Sequence, residues 1–315
     1  MPKARVIYNP AAGRMPVQPF VSSIQAALSR LGWTVDMVES RSGGHAAQAA
    51  RHAAQEMYDA VFAVGGDGTV SQVMNGLVGS ETALGVIPTG VSNVWAREIG
   101  LIPFSLANWW SLRDNAALLA ESPICAVDVG ECNGRPFLLW AGMGLDALAI
   151  KSLEPRVRVE KFFSVPEYAA SAVWNTSLWH GLNLRLWADE REIEGRFLLA
   201  VANNVRRYMG GVANLSPDGY LDDGQMDVWL FKGDSLSDAF QHAFDLFAGQ
   251  PIPPDQVQRL PFTTLRVEAD SPFAVHMDGE PVFDAGRTDI VVKPRALKVI
   301  LPLQAQSHLK QTQVS

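Results

Sequence analysis

Residues 60–77, AVFAVGGDGTVSQVMNGL, carry an unbroken apolar run into two glycines, an aspartate, a third glycine and a threonine, after which a new apolar rhythm begins. Val70, Val73, Met74 and Leu77 stand at i, i+3, i+4 and i+7, so a helix is expected directly after Thr69. A short apolar strand that breaks at glycines and feeds a helix is the repeating unit of a parallel sheet. The first 125 residues keep to this alternation. ARVIYN, TVDMVES, DAVFAVGG and LGVIPTG read as strands, and FVSSIQAALSRLG, HAAQAARHAAQEM, VSQVMNGLV and NVWAREIG read as helices. The expectation is an α/β, doubly wound N-terminal domain over residues 1–125, with ligands at the carboxyl ends of its strands, where the glycine turns fall.

From Ala126 the texture changes. AVDVGE, PFLLWAGM, LNLRLWA, RFLLAVAN, MDVWLFK, TTLRVEA, FAVHM and DIVVKP are short, often alternating, and separated by Gly, Pro, Asp and Asn. That pattern predicts a mainly antiparallel β-sandwich as the second domain, over residues 126–299. Two helices interrupt it. In SVPEYAASAVWNTSLWHG, Ser164 and Glu167 have capping-box spacing and Gly181 closes the far end; the other helix is SLSDAFQHAFDLFAG. A chain of 315 residues is long for one core, which agrees with two domains.

Gly65, Gly66, Asp67, Gly68 and Thr69 admit two readings. Asp-Gly is a turn signal, and glycine collects wherever the backbone needs positive φ. A strand, a glycine loop and a helix N-terminus together also make an anion site, because bare backbone approaches closely and unpaired N–H groups point at the ligand. The Asp67 carboxylate would repel a bare phosphate but suits an intervening Mg²⁺ or ribose hydroxyl. Two further turns repeat the arrangement. YNPAAGR brings Asn9, Gly13 and Arg14 after the first strand, and GVIPTGVSN brings Gly90, Ser92 and Asn93 ahead of another helix. Neither a Lys-Ser/Thr-ended phosphate loop nor Gly-x-Gly-x-x-Gly occurs.

The formal net charge of −7 argues against a nucleic-acid partner. Cys125 and Cys132 have neither zinc-site company nor a disulfide framework, which fits a reducing compartment. The N-terminus runs straight into a strand, and no apolar run approaches the roughly 18–20 residues of a membrane span. A cytoplasmic protein touching the inner membrane face only peripherally is expected.

NPAAGR, GGDGT, IPTGVSN, RRYMGGVANLSPDGYLDDG and MDGE stand in the order seen in bacterial diacylglycerol kinase-like lipid kinases, and the chain resembles that family over nearly its whole length. The family includes the catalytic regions of sphingosine and ceramide kinases. The resemblance implies a nucleotide-binding α/β domain, a β-sandwich domain, an active site in the cleft between them, and a C-terminal tail, about 300–315 and including part of LKVILPLQAQ, that returns to the first domain. It also implies ATP as phosphoryl donor with Mg²⁺, and places Asn9, Gly13, Arg14, Gly65, Gly66, Asp67, Gly68, Thr69, Gly90, Ser92 and Asn93 around the nucleotide. Asp278 matches the family's proposed general base, with Glu280 beside it. Read by itself, FAVHMDGEPVF is a hairpin with an Asp-Gly turn, and the two readings are compatible. GYLDDGQMD resembles a second, structural Mg²⁺ loop, with a carboxylate from Asp223, main-chain oxygens from Tyr220 and Gln225, and Asp128 tied to that network. The same segment also reads as a plain Asp-Gly turn.

Two departures stand out. Many members have Gly-Thr-x-Asn-Asp where this chain has Gly90-Val91-Ser92-Asn93-Val94, so a hydroxyl and an acid are missing. No lysine or arginine lies between Arg14 and Arg30. At the substrate end, Val165, Tyr168, Ala169, Ala172 and Val173 share a helix face near Trp174 and Trp179, after the cations Lys151, Arg156, Arg158 and Lys161. The face either packs on its own sandwich or forms an acyl-chain wall whose cations meet anionic lipid. Expected partners are ATP, a lipid substrate and a membrane surface, with a homodimer among the expected assemblies. Three functions remain: an ATP-dependent kinase of a lipid hydroxyl, an NAD kinase-like phosphotransferase, and a non-catalytic lipid- or nucleotide-binding protein.

Overall fold

The computed structural model describes residues 1–13, 16–41, 44–152, 181–233, 235–250 and 253–310. The chain divides into two compact units, Met1–Val129 with Tyr220–Asp223 and Pro294–Ser315, and Gly130–Gly219 with Gly224–Lys293.

The first unit alternates β1 (Lys3–Tyr8), α1 (Val21–Arg30), β2 (Thr34–Glu39), α2 (His45–Gln55), β3 (Ala60–Gly65), α3 (Asp67–Leu77), β4 (Ala83–Pro88), α4 (Val94–Glu98) and α5 (Ser111–Ala120), leading into β5 (Ile124–Cys132). Strands β2, β1, β3 and β4 lie side by side in that order, all parallel. Every residue of β3 and β4 is buried, as a central parallel strand covered on both faces requires. Helix α2 owes its alanines to close packing. Ala46, Ala49, Ala50 and Ala53 are buried, and a Cβ on Gly76 of the adjacent α3 would meet the Ala47 carbonyl oxygen at 2.4 Å. The tail adds a further strand, with Val299 paired in parallel to Leu84 of β4.

The second unit contains β6 (Arg135–Phe137), β7 (Trp140–Gly144), α6 (Leu145–Ser152), β8 (Leu182–Ala188), β9 (Arg191–Asn203), the short pair β10 (Arg207–Tyr208) and β11 (Ala213–Asn214), β12 (Met226–Lys232), α7 (Leu236–Ala248), β13 (Val257–Phe262), β14 (Thr264–Met277) and β15 (Glu280–Ile300), the last ending in the first unit. Among the described residues, β5–β6, β7–β9, β7–β14, β8–β9, β8–β14, β9–β12, β12–β13, β14–β15 and β10–β11 pair antiparallel. Strands β9 and β14 are long because each pairs with two partners in succession. The first part of β14 lies on β8 and its end on β7, while the first part of β9 lies on β8 and its end on β7. The two expected strands TTLRVEA and FAVHM are therefore one strand, with an irregularity between Glu268 and Phe273. Phe197, Phe262, Phe273, Leu184 and Leu230 fill the core on the inward positions of these strands.

Local rules account for the ends of α7. Ser235 Oγ accepts the Asp238 N–H, Asp238 Oδ2 accepts the Ser235 N–H, and Gly249 closes the helix in the left-handed conformation. No helix among the described residues is long and apolar enough to cross a membrane. The expected helix over 165–180, with Arg156, Arg158 and Lys161, lies outside the described residues, as does Arg14.

Candidate active site

Three turns of the first unit close on one another through backbone. Asn9 donates its N–H to the Val64 carbonyl and Thr89 donates to the Gly65 carbonyl, so the turns after β1, β3 and β4 hang together as the strands end. Side chains reinforce this. Asn9 Oδ1 accepts the Ala11 N–H at 2.9 Å and Asn9 Nδ2 reaches Thr69 Oγ1 at 3.4 Å. A Cβ on Gly13, which has φ +73°, would stand 1.9 Å from the Thr89 carbonyl oxygen, and one on Gly90 would stand 2.4 Å from the Gly66 Cα. Glycine is thus required here by the approach of one turn to another, whatever else it admits.

Helix α3 begins at Asp67, three residues before the start at Val70 expected from the apolar rhythm, because Gly66 is its N-cap and Thr69 and Val70 both donate to the Gly66 carbonyl. Asp67 and Gly68 therefore lie in the first helical turn, where main-chain N–H groups have no intrahelical acceptor. The Asp67 carboxylate accepts the Val94 N–H at 2.8 Å and so fastens α3 to the start of α4. Asn93 is turned into its own loop, with Oδ1 accepting the Gly90 N–H and Nδ2 donating to the Gly90 carbonyl, both at 2.8 Å. That closed ring holds Asn93 at φ 51°, a conformation asparagine tolerates. Ser92 gives its carbonyl to the Arg97 guanidinium. Val94 buries its side chain and offers only its N–H to Asp67.

Thr89 was not among the residues expected at this edge. Its hydroxyl is buried and has no hydrogen-bond partner among the described residues, at the turn the three glycine loops share. An orphaned buried hydroxyl costs about 1–3 kcal/mol unless something satisfies it. The orphaned oxygen and the first turn of α3 both fit an anionic, hydrogen-bonding ligand at this edge.

The acidic loop of the first unit is held by hydrogen bonds of its own. Asp128 is fully buried. Its N–H goes to the Leu221 carbonyl and its Oδ1 accepts the Arg295 N–H, while Asp222 Oδ1 accepts the Lys310 N–H at 2.6 Å. Leu221 is thereby tied to Asp128, and Leu221 and Asp222, between Tyr220 and Asp223, are tied to the tail at His308 and Lys310. Among the described residues no three His, Cys, Asp or Glu side chains converge as metal ligands. Mg²⁺ takes only one or two carboxylates and completes its shell with other oxygens, so Asp128 and Asp223 fit it by donor chemistry. Gln225 belongs to the second unit.

In the second unit, Asp278 and Gly279 form the two-residue turn between β14 and β15, both left-handed at φ 52° and 82°. Two consecutive positive φ values make the mirror-image turn that matches strand twist. The Asp278 carboxylate faces inward. Its Oδ2 accepts the Leu138 N–H at 3.0 Å and its Oδ1 accepts those of Leu139 at 2.8 Å and Trp140 at 3.4 Å. Asn204 braces the same segment from its other side, donating its N–H to the Leu139 carbonyl and its Nδ2 to the Leu138 carbonyl. Glu280 is exposed at the start of β15.

A buried polar cluster lies in the same unit that the sequence reading did not single out. Asp146 Oδ2 takes hydrogen bonds from His276 Nε2 at 2.8 Å and from the Tyr208 hydroxyl at 2.7 Å, and the Tyr208 ring packs edge-on against Trp140. Gly142 makes room, since a Cβ there would meet His276 Nε2 at 2.1 Å. Burial pushes the Asp146 carboxyl up, but the His276 ring and the bonds from His276 and Tyr208 outweigh it and hold the carboxyl below the ordinary carboxylate range. A depressed folded value means that Asp146 stabilises the protein above its unfolded titration, near pH 4, and loses that contribution as pH falls through the folded value. Asp146→Asn is expected to cost about 3 kcal/mol at neutral pH, and the gap in melting temperature to wild type should narrow below about pH 4. Thermal denaturation across a pH series reads both. The available signals were the His two places before Asp278 and the Asp two places after Gly144, but only the fold joins them.

The diacylglycerol kinase catalytic domain family model matches residues 3–132, and the YegS C-terminal NAD kinase beta sandwich-like domain model matches residues 141–301. Among curated relatives, the diacylglycerol kinase of Bacillus subtilis is 27% identical over 289 residues, covering 89% of this chain and 90% of its own. Among solved structures, a diacylglycerol kinase from Bacillus anthracis superposes with a TM-score of 0.73 at 20% identity, covering 96% of this chain and 98% of its own. An NAD kinase from Archaeoglobus fulgidus in complex with ATP shares the fold at a TM-score of 0.52 and 14% identity, covering 96% and 95%.

Proposed function

Because the chain belongs to the diacylglycerol kinase catalytic domain family, with the YegS-like domain following it, we propose that it transfers the γ-phosphoryl group of ATP to the hydroxyl of a diacylglycerol-like lipid. The observation that carries this is the edge where the turns after β1, β3 and β4 meet: glycine backbone, the first turn of α3, and a buried Thr89 hydroxyl with no partner among the described residues. Main-chain N–H groups at that edge would orient the phosphates and offset their charge, with Arg14 as the cation nearest in sequence.

Asp278 is the group we assign to the acceptor hydroxyl. The N–H donors of residues 138–140 fix its carboxylate in position, and phosphoryl transfer through a loose transition state needs a positioned acceptor more than a strong base. Glu280, two residues on, is the second acid we assign to the acceptor. Mg²⁺, held at the phosphates near Asp67 and at the loop of Asp128, Tyr220, Asp223 and Gln225, would neutralise developing charge on the transferred group. Membership of a lipid kinase family favours this reading over NAD phosphorylation, for which only a fold-level likeness stands.

The test is incubation with γ-labelled ATP and a total lipid extract, with and without Mg²⁺, followed by identification of the labelled lipid. Asp67→Asn is the companion variant. Its amide oxygen can still accept the Val94 N–H, so the melting temperature should stay within about 3 °C of wild type. Loss of the charge should lower transfer by about 10²–10³-fold. An unlabelled extract with wild-type protein that binds ATP normally would favour a non-catalytic binding protein. Full activity in the variant would remove Asp67 from the phosphate site.

A further inference from the structure

Two stretches of the first unit, residues 16–29 and 101–112, contain no Asp, Glu, Lys, Arg or His, in a chain that is 19% charged and carries −7 overall. They meet in space. Phe20, just ahead of α1, packs on Phe104 at 5.5 Å and on Trp109 at 6.2 Å, and Trp109 lies edge-on to Trp110 at 6.4 Å. Around this aromatic base Ile102, Leu106, Trp109 and Trp110 remain 58%, 56%, 47% and 45% exposed.

The loop that presents them is tightly built. Phe104 donates its N–H to the Pro88 carbonyl, Asn115 Nδ2 caps the Ile102 carbonyl, Asn108 Nδ2 caps the Pro103 carbonyl, and Ser105 and Asn108 close a capping box. Its polar groups are thus spent on its own backbone while its largest apolar side chains point outward. That arrangement suits an apolar medium poor in water, where each unsatisfied main-chain group would be costly. Tryptophan, apolar in body with one N–H, is the side chain that favours the headgroup boundary.

We propose that Ile102, Leu106, Trp109 and Trp110 form the surface by which this protein inserts into a lipid bilayer. The inference rests on the lipid-kinase reading for its choice of occupant, because a two-chain glyceride lies in the membrane and must be met there. The two stretches bring no ion of their own to desolvate on insertion, and the charges next to them in sequence, Arg113 and Asp114, pair with each other at 2.8 Å. Binding through it is therefore hydrophobic and independent of anionic lipid.

The experiment is sedimentation with neutral phosphatidylcholine vesicles, for wild type and for the double variant Trp109→Ser/Trp110→Ser. The Ser variant loses the contact of Trp109 with Phe20, so a lower melting temperature is expected, and vesicle binding is compared at a temperature where thermal denaturation shows all variants folded. Wild type is expected to sediment with neutral vesicles and to stay bound in 0.5 M NaCl, on the order of the Debye regime where surface charge attraction is screened. The variant should bind at least about tenfold more weakly, while Trp109→Phe/Trp110→Phe should retain most binding. Phosphorylation of a detergent-dispersed short-chain diacylglycerol should be the same in all three. Equal sedimentation of wild type and Ser variant, or release of wild type from neutral vesicles by salt, would overturn the proposal. So would a wild-type dimer that the Ser variant dissociates without change in vesicle binding, which would make the face a contact between copies. A wild type that binds vesicles through this face but never phosphorylates the dispersed lipid would overturn the kinase reading alone.

Discussion

Asp278→Asn is expected to lower kcat by about 10²–10⁴-fold while leaving the affinity for Mg-ATP near wild type. Asp278 is assigned to the acceptor hydroxyl and not to the phosphates, so nucleotide affinity should not depend directly on this carboxylate. The substitution is not silent structurally. Both carboxylate oxygens accept main-chain N–H groups, Oδ2 from Leu138 and Oδ1 from Leu139 and Trp140. Asparagine keeps the left-handed turn but must aim its NH₂ at one of those donors, at a cost of about 1–3 kcal/mol. Activity must therefore be expressed per folded molecule, with ATP titrated by calorimetry. Asn204→Ala supplies the control, because it loosens residues 138–140 through the Leu138 carbonyl without touching the carboxylate. If Asn204→Ala, matched in stability loss, lost as much turnover as Asp278→Asn, the aspartate would be a scaffold for its strand and no part of the chemistry. Unchanged kcat in Asp278→Asn would lead to the same conclusion.

Gly90→Ala should weaken nucleotide binding by about 10- to 100-fold and lower the melting temperature, through a clash that no side-chain rotation relieves. The added Cβ would stand 2.4 Å from the Gly66 Cα, 2.9 Å from Asn93 Oδ1 and 3.2 Å from the Gly66 nitrogen. Two of those three atoms are backbone, so the turn after β4 must withdraw from the turn after β3. Withdrawal pulls on the ring that Asn93 makes with Gly90 and on the Val94 N–H bound to Asp67. Gly79→Ala is the comparison. Gly79 has φ +78° but nothing within 4 Å of its Cβ position, so it carries conformational strain without a clash. Its expected cost is about 1 kcal/mol with ATP binding unchanged. Binding by Gly90→Ala indistinguishable from that of Gly79→Ala would show that the close approach of the two turns does not shape the nucleotide edge.

Much of this architecture was legible in residue order because it rests on local rules. The buried runs of β3 and β4, the helix in SLSDAFQHAFDLFAG and the Asp278-Gly279 turn each need only a handful of neighbouring residues to specify them. The family resemblance is of the same kind, since motifs in a fixed order survive without knowledge of contacts. Even the early start of α3 is a small correction, made because Gly66 could cap where the apolar rhythm was silent.

What tertiary structure alone decided is which polar atoms share a partner. Asp146 and His276 are 130 residues apart, and Tyr208 stands between them in sequence with no periodicity to connect the three. The inward turn of Asp278 depends on the N–H groups of residues 138–140, whose direction follows from the pairing of β7 with β14. Asn93 had the composition of a ligand-binding residue, yet its amide is committed to Gly90, and the buried Thr89 hydroxyl is the oxygen at that edge with no partner among the described residues. Local sequence sets the conformational preference of a few residues at a time. A hydrogen bond between distant segments depends on strand register and on how closely two backbones can approach, and both are settled only when the sheets pack.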